Sequence, residues 1–306
     1  MTGEGSADAA NTRAGFVALI GAPNAGKSTL VNQLVGAKVT IVSRKVQTTR
    51  SPIRGVAIHR SSQIVFVDTP GIFAPKRRLD RAMVRAAWAG AHDADLVLVL
   101  IDARKGIGAE EDAILQALPD VRTEKWLILN KVDTIAPPTL LELTATLNER
   151  ADFARTFMVS ALNGSGCGDL LDALAGAVPE GPWLYPEDQL SDLPMRMLAA
   201  EITREKLYER LHQELPYAAT VETEKWEERK DGSARIEQVI YVERDSQKKI
   251  VLGKGGATIK AISMASRAEI AELTGQKVHL FIFVKVREKW GDDPERYREM
   301  GLDFHD

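Results

Sequence analysis

One cysteine, Cys167, stands in 306 residues, so no disulfide can form within the chain, and this scarcity suits a reducing, cytosolic compartment. Aromatic residues make up only 6%. No apolar run approaches the ~18 residues that a membrane-spanning helix needs, which limits any expected membrane contact to a peripheral one. Residues 1–13 lack both an apolar core and an arginine bias, so a disordered extension is expected there rather than a targeting peptide. Repeats at solenoid periods and low-complexity tracts are missing too. Net charge is small, −3, but unevenly spread. Residues 244–290 carry ten Lys/Arg against four Asp/Glu, whereas 181–243 carry eight against fourteen and 291–306 two against six. A basic block between acidic ones offers a face for a polyanion, with an ordinary solvated surface as the alternative.

What is present is core material, 44% hydrophobic, enough for about two domains. Apolar runs Phe16–Ile20, Gln63–Asp68, Asp95–Asp102, Trp126–Asn130 and Arg155–Ser160 alternate with amphipathic stretches such as Leu79–Ala91 and Leu170–Ala177. That alternation predicts an α/β domain over 14–178, a mostly parallel sheet with helices on both faces. Ile53–His59 is expected to pair antiparallel with the Gln63 strand and form the edge. Three prolines and a glycine in Pro179–Pro186 break all periodicity and predict a linker over 179–194. A smaller α+β domain is expected over 195–290, followed by a C-terminal tail over 291–306. Its predicted order is a helix over Met195–Gln213, strands over Thr220–Glu228 and Arg235–Glu243, helices over Asp245–Leu252 and Ala257–Leu273, and a final strand over His279–Lys289.

Gly21-Ala22-Pro23-Asn24-Ala25-Gly26-Lys27-Ser28 fits G-x-x-x-x-G-K-S and joins the first strand to the helical Ser28-Thr29-Leu30. Such a loop turns backbone N–H groups toward nucleotide phosphates, Lys27 reaches the outer phosphates, and the Ser28 hydroxyl can ligate Mg²⁺. Asn130-Lys131-Val132-Asp133 follows the fourth parallel strand run, at a strand end where ligands bind. Asp133 can accept from both N1–H and the exocyclic amine of guanine, while adenine would set an acceptor nitrogen against the carboxylate. Asn130 is expected to tie this loop to the phosphate loop, and the Lys131 stem to cover one face of the base. Asp68-Thr69-Pro70-Gly71 closes another strand; Asp68 is expected to hold Mg²⁺ through water, and the Gly71 N–H to sense the γ-phosphate. Between these motifs the basic stretch 36–52 is expected to be mobile, with Thr49, or alternatively Thr48, reaching Mg²⁺ when the γ-phosphate is present. Arg44, Lys45 and Arg50 read equally as a solvated basic loop or as a partner-binding one. Lys27, Thr49 and Gly71 are thus the candidate catalytic groups.

Gly253-Lys254-Gly255-Gly256 between two predicted helices gives the G-x-x-G pattern of a KH module, whose tight turn lets a nucleic-acid backbone approach closely. Lys248, Lys249 and Lys260 lie near it in sequence. Single-stranded RNA is the expected ligand, about four nucleotides long in the groove. Ile250, Val251, Ile259 and Ile262 could meet bases, although core packing is expected for most of them.

In this order the motifs resemble the Era family of bacterial GTPases, which carry a C-terminal KH domain of the second topological type. The resemblance covers most of residues 14–302. It rests on the phosphate loop, Gln47-Thr48-Thr49-Arg50, Asp68-Thr69-Pro70-Gly71, Asn130-Lys131-Val132-Asp133, Ser160-Ala161-Leu162, Val242–Lys248, Gly253–Gly256 and Val284–Trp290. It implies that Ser160, Ala161 and Leu162 complete the guanine pocket. Ile72 stands where many signalling GTPases place a water-orienting glutamine, so slow hydrolysis is expected. The family precedent for completing it is K⁺ held partly by the phosphate-loop asparagine, here Asn24. The family further implies binding of GTP or GDP with Mg²⁺ and the 3′ end of 16S rRNA as partner. GTP would favour RNA binding, and the role would be maturation of the 30S subunit by a monomeric, cytoplasmic protein with loose association to the inner membrane. Two other classes stay open at this point: an RNA-binding module whose nucleotide site is structural, and a membrane or cell-cycle signalling GTPase without a ribosomal role.

Overall fold

The computed structural model describes residues 12–43, 45, 48–211 and 215–304. Its residues separate into two compact units. The first holds the chain up to Thr40, Thr49–Asp192, and the residues from Gly301 on; the second holds Ile41–Thr48 and Leu193–Met300.

The first unit is a six-stranded sheet in the order β2-β3-β1-β4-β5-β6. Its strands are β1 (Arg13–Gly21), β2 (Ile53–His59), β3 (Ser62–Asp68), β4 (Leu96–Asp102), β5 (Lys125–Asn130) and β6 (Arg155–Val159). All pairings are parallel except β2 with β3. The β3, β4 and most of the β1 and β5 side chains are buried on both faces, as the unbroken apolar runs require of strands covered by helices. One cluster, with Leu19, Leu30, Phe66, Leu98, Trp126 and Leu170, packs α1 (Lys27–Val35) and α5 (Cys167–Ala177) on one face. The other, with Ile20, Ala87, Val99, Ile114, Leu129 and Leu147, packs α2 (Arg78–Asp93), α3 (Ala109–Ala117) and α4 (Pro137–Arg150) on the opposite face. Because β1 is flanked by β3 and β4, the sheet order reverses beside it, and the loops after β1, β3, β4, β5 and β6 gather at the carboxyl edge.

The segment after Val178 departs from a free linker. Buried Gln63 on β3 accepts the Leu184 and Tyr185 N–H groups (2.7 and 2.9 Å) through Oε1 and donates to the Tyr185 carbonyl (2.8 Å). Farther along, the Val56 N–H donates to the Leu190 carbonyl (2.8 Å) and Arg54 pairs with Asp192 (3.0 Å). The prolines prevent regular structure, yet residues through Asp192 belong to the first unit and cover the β2 edge. At the other end, β1 begins at Arg13, inside the span expected to be disordered; residues 1–11 lie outside the described residues.

The second unit places α6 (Met195–Arg210) and α8 (Ala257–Thr274) on one face of the three-stranded sheet β7-β8-β9, with β7 (Ala219–Glu228), β8 (Ala234–Val242) and β9 (Val278–Val286). β7 pairs antiparallel and β9 parallel with β8. Ile236, Ile240, Val242 and Leu280 face the helices. Helix α6 ends earlier than its sequence suggests, because Leu211 turns extended and buries its side chain; Gln213 lies outside the described residues. Strand β9 ends at Val286, where its partner β8 runs out at Val242, rather than at Lys289. Structure continues from Trp290, the last residue of the expected second domain, into the expected tail over 291–306. Trp290 is buried and donates from Nε1 to the Ala218 carbonyl (2.9 Å), and α9 (Pro294–Glu299), capped by Asp293, sets Arg296 over the Tyr241 ring at 4.4 Å. Residues through Met300 therefore belong to the second unit.

Candidate functional site

The phosphate loop spans Gly21 to Gly26, between the last residue of β1 and the first turn of α1. Gly26 adopts φ 101, and a Cβ there would stand 2.2 Å from Asn130 Nδ2, so only glycine allows the two loops to meet. Asn24 also adopts a left-handed backbone, φ 64, which asparagine tolerates better than most residues. The Lys27 ammonium is buried and donates to the carbonyls of Gly21 (3.1 Å) and Ala22 (3.2 Å). Burial pushes its pKa down to about 8, against the charges of Asp68 and Glu110 that pull it up. A buried cation beside the N-terminus of α1 suits an anion such as a phosphate. Thr29 follows in the first turn of α1 and is half-buried.

Asp68, the last residue of β3, is fully buried. Its Oδ2 accepts from Ser28 Oγ (2.7 Å), Thr40 Oγ1 (2.9 Å) and Thr49 Oγ1 (3.2 Å), while its buried Oδ1 has no hydrogen-bond partner among the described residues. Burial raises the Asp68 pKa, opposed by the hydroxyl donors and by Lys27. One buried carboxylate with an orphaned oxygen, and the Ser28 and Thr49 hydroxyls among the three beside it, fit Mg²⁺, which takes few protein ligands and completes its shell with phosphates and water. Thr48, the alternative to Thr49, does not come here: its hydroxyl bonds Ser43 Oγ (2.9 Å) and the Lys45 carbonyl (2.7 Å).

Thr69 Oγ1 donates to the Leu19 carbonyl (2.5 Å), and the Ile72 N–H to the Gly21 carbonyl (3.1 Å), so the Asp68–Ile72 turn lies against the phosphate loop. A Cβ on Gly71 would stand 2.9 Å from Pro23 Cα. Ile72 buries its side chain in the core with Ile20 and Ala22, so it contributes no polar group to water. Arg50 is buried rather than solvated, and the Lys45 ammonium is bonded to the Leu211 carbonyl; Arg44, Val46 and Gln47 lie outside the described residues.

Asn130 ends β5 and ties three loops together. Its Nδ2 donates to the Ala25 carbonyl (2.9 Å), and its Oδ1 accepts from the N–H groups of Lys131 (2.8 Å) and Ala161 (3.0 Å). Lys131 Nζ bonds the Asn24 carbonyl (2.5 Å) and Asp102 Oδ2 (2.7 Å), which stretches its stem across the loop. Val132 packs on the core, while Asp133 is exposed and has no hydrogen bond among the described residues. Ser160 presents a buried Oγ without a partner, Ala161 is buried, and Leu162 is 82% exposed. Sequence reasoning missed Asp102 and Thr40. Asp102 closes β4 as Asp68 closes β3, and that shared position was a usable signal. Burial disfavours its charge, but hydrogen bonds from Arg104 and Lys131 hold its pKa below the usual carboxylate range.

In the second unit α7 (Asp245–Leu252) and α8 flank the Gly253–Gly256 turn. A Cβ on Gly253 (φ 74) would sit 2.2 Å from Thr258 Oγ1, whereas Gly255 and Gly256 open onto space free of atoms for 4 Å. Backbone can therefore approach the turn. Lys249, Lys254 and Lys260 are exposed and Lys248 is half-buried. Of the four isoleucine and valine candidates only Ile250 is exposed; Val251 and Ile262 are in the core, with Ile259 packed against it.

The segment Ile41–Thr48 belongs to this second unit although it joins Thr40 and Thr49 of the first. The Val42 N–H donates to Glu205 Oε1 (2.8 Å), and Arg204 donates to the Thr48 carbonyl. Both acceptor and donor stand on α6.

Residues 16–131 match the family model of a 50S ribosome-binding GTPase, and residues 214–291 match that of a KH domain. The chain is 71% identical over 299 residues to the GTPase Era of Sinorhizobium medicae, covering 98% of this chain and 96% of that protein. With the GTPase Era of Brucella suis biovar 1 it shares 69% over 300 residues, covering 98% and 96%. Two solved Era structures superpose with a TM-score of 0.90 at 36% identity, each covering 95% of this chain and 99% of the other. One is an Aquifex aeolicus Era variant bound to GDP and AlF4⁻; the other holds MgGDPNP and nucleotides 1506–1542 of 16S ribosomal RNA.

Proposed function

The chain belongs to the Era family of GTPases, and on that premise we propose that hydrolysis of GTP in its first unit sets how tightly its KH unit grips the single-stranded 3′ end of 16S rRNA, during maturation of the 30S subunit. The observation that carries this reading is the Thr40–Thr49 segment. Its two ends stand on the Asp68 carboxylate and its middle belongs to the KH unit, so the nucleotide and RNA halves share one stretch of backbone.

In this reading the N–H groups from Gly21 to Ser28 and the Lys27 ammonium receive the phosphates, and Asp133 reads guanine with Ser160–Leu162 closing the pocket. Ser28, Thr49 and, through water, Asp68 would hold Mg²⁺, which would supply positive charge to the phosphates. The Gly71 N–H would support the γ-phosphate, and Thr49 would reach Mg²⁺ only while that phosphate is present. Lys248, Lys249, Lys254 and Lys260 supply cations along the RNA backbone, with the Gly253–Gly256 turn as its closest approach. The protein acts as a cytoplasmic monomer that touches the inner membrane only peripherally; among the described residues no helix is long and apolar enough to cross a membrane.

Affinity for a labelled single-stranded RNA matching the 3′ end is expected to be about 10-fold higher with a non-hydrolysable GTP analogue than with GDP, a coupling within the usual range. Fluorescence anisotropy with empty, GDP-loaded and analogue-loaded protein measures it. Equal affinity in all three states would end the proposal, and failure to co-sediment with small subunits would favour a signalling role instead.

Ile72 is buried in the core and has no polar group to orient the attacking water, so hydrolysis needs a further contribution, and Asn24 places a carboxamide in the phosphate loop. K⁺ bound there would supply it. Turnover in KCl should then exceed turnover in NaCl by about 10-fold or more, and Asn24→Ala should erase the difference. Equal rates in both salts for the unmodified protein would remove K⁺ from the mechanism.

A further inference from the structure

Thr40 lies outside every nucleotide motif of the sequence, yet it is fully buried beside the carboxylate that those motifs converge on. Its backbone is clamped by one side chain: Asn32 Oδ1 accepts the N–H groups of Val39 (2.9 Å) and Thr40 (3.1 Å), and Asn32 Nδ2 donates to the Thr40 carbonyl (2.8 Å). Asn32 follows Ser28 by four residues on α1, so the two share one helix face. A single rigid helix thus aims two hydroxyls, those of Ser28 and Thr40, at the same oxygen of Asp68. The third donor, Thr49, makes the longest of the three bonds.

We propose that Thr40 is a positioning residue for the metal centre: its hydroxyl fixes the Asp68 carboxylate so that Oδ1 is left for the water of a nucleotide-bound Mg²⁺, in the diphosphate as well as the triphosphate state. The asymmetry of the carboxylate is the ground for this. Oδ2 collects three hydroxyl donors while Oδ1, equally buried, has none. A buried acceptor without a partner is costly, so the arrangement persists because something outside the chain satisfies it. Thr49 reaches Asp68 only through a segment whose other residues belong to the KH unit, and its hold is the one that nucleotide hydrolysis releases. Thr40 stands at the near end of that segment, where Asn32 fixes its backbone to α1. Asp68 meets the metal through water, and loss of outer-shell groups of this kind typically costs 10–100-fold in metal affinity.

The inference rests on Asp68 facing Mg²⁺ in the family reaction, and the experiment separates the two. Release of a fluorescent GDP is followed against free Mg²⁺ for the unmodified protein and for Thr40→Val, Thr40→Ala and Thr40→Ser, with nucleotide affinity also measured in EDTA. Expected for Thr40→Val and Thr40→Ala is a Mg²⁺ half-point raised about 10-fold or more for GDP and for a GTP analogue alike. Thr40→Ser should restore it, and affinity in EDTA should be unchanged. If GDP release from the unmodified protein ignores Mg²⁺, the metal reading of Asp68 is wrong. If it responds but Thr40→Val and Thr40→Ala titrate as the unmodified protein does, Thr40 has no such role. Equal loss of affinity with Mg²⁺ and in EDTA would make Thr40 merely structural, and so would a Thr40→Ser variant that fails to recover.

Discussion

Asp133→Ala is expected to lower affinity for GTP and GDP by about 10²–10⁴-fold while leaving weak ATP binding where it was, so that discrimination between the two bases collapses. The size follows from two hydrogen bonds to a charged acceptor, each contributing about 1.5–3 kcal/mol. The structure shows why the loss would fall on the base and not on the loop. Asp133 is exposed and bonds no other group among the described residues, so its removal leaves the Asn130 clamp on Ala25, Lys131 and Ala161 intact. Truncating Asn130 would instead leave buried donors unpaired and disturb the phosphate loop itself. Competition of unlabelled ATP, GTP and GDP against a fluorescent guanine nucleotide measures the effect. Retained preference for guanine in Asp133→Ala would transfer the reading of the base to Ser160–Leu162.

The contrast between these two residues also shows which parts of the site a linear sequence can disclose. Lys27, Ser28, Asp68, Asn130 and Asp133 each sit where a strand ends or a helix begins, and both the strands and the turns have short-range signatures, so chain position alone assigned them to one sheet edge. The mostly parallel character of the sheet followed from the same apolar runs, though its strand order did not. Thr40 carries no such mark, since nothing local tells that Asn32 turns the backbone after Gly36 back toward β3. The Pro179–Pro186 stretch read as a tether because proline forbids ladders, but three hydrogen bonds from a single glutamine on β3 hold its Leu184–Tyr185 part. Tyr297 read as part of an acidic tail, because local charge dominates there; it is buried in α9, whose neighbouring Arg296 lies over Tyr241 of β8, some 55 residues earlier in the chain, which only tertiary packing brings near. Position relative to strand ends was legible, and long-range closure was not.

Lys254→Glu is expected to weaken binding of the 3′-end RNA by about 10–100-fold at low salt, and to flatten the dependence of binding on salt. A lysine that neutralises one phosphate of a single strand contributes about 0.7 to the slope of log K against log salt, so its loss should lower the slope by roughly that amount. Geometry directs the effect to this residue. Gly255 and Gly256 leave open space where side chains would stand, α7 and α8 converge on the turn, and Lys254 is exposed at its centre. Gly256→Asp is the steric counterpart: it puts a carboxylate into that open space at φ 79, and it should weaken RNA binding at every salt concentration. Arg267→Glu tests whether the effect is local. Arg267 is exposed on α8 eleven residues beyond Gly256, about 16 Å along the helix and beyond the screening length at physiological salt. Its reversal changes net charge as much as Lys254→Glu does, yet should leave the slope within error of the unmodified protein. If both reversals act equally, the RNA is held by the diffuse charge of residues 244–290, and the glycine turn is a connector between two helices.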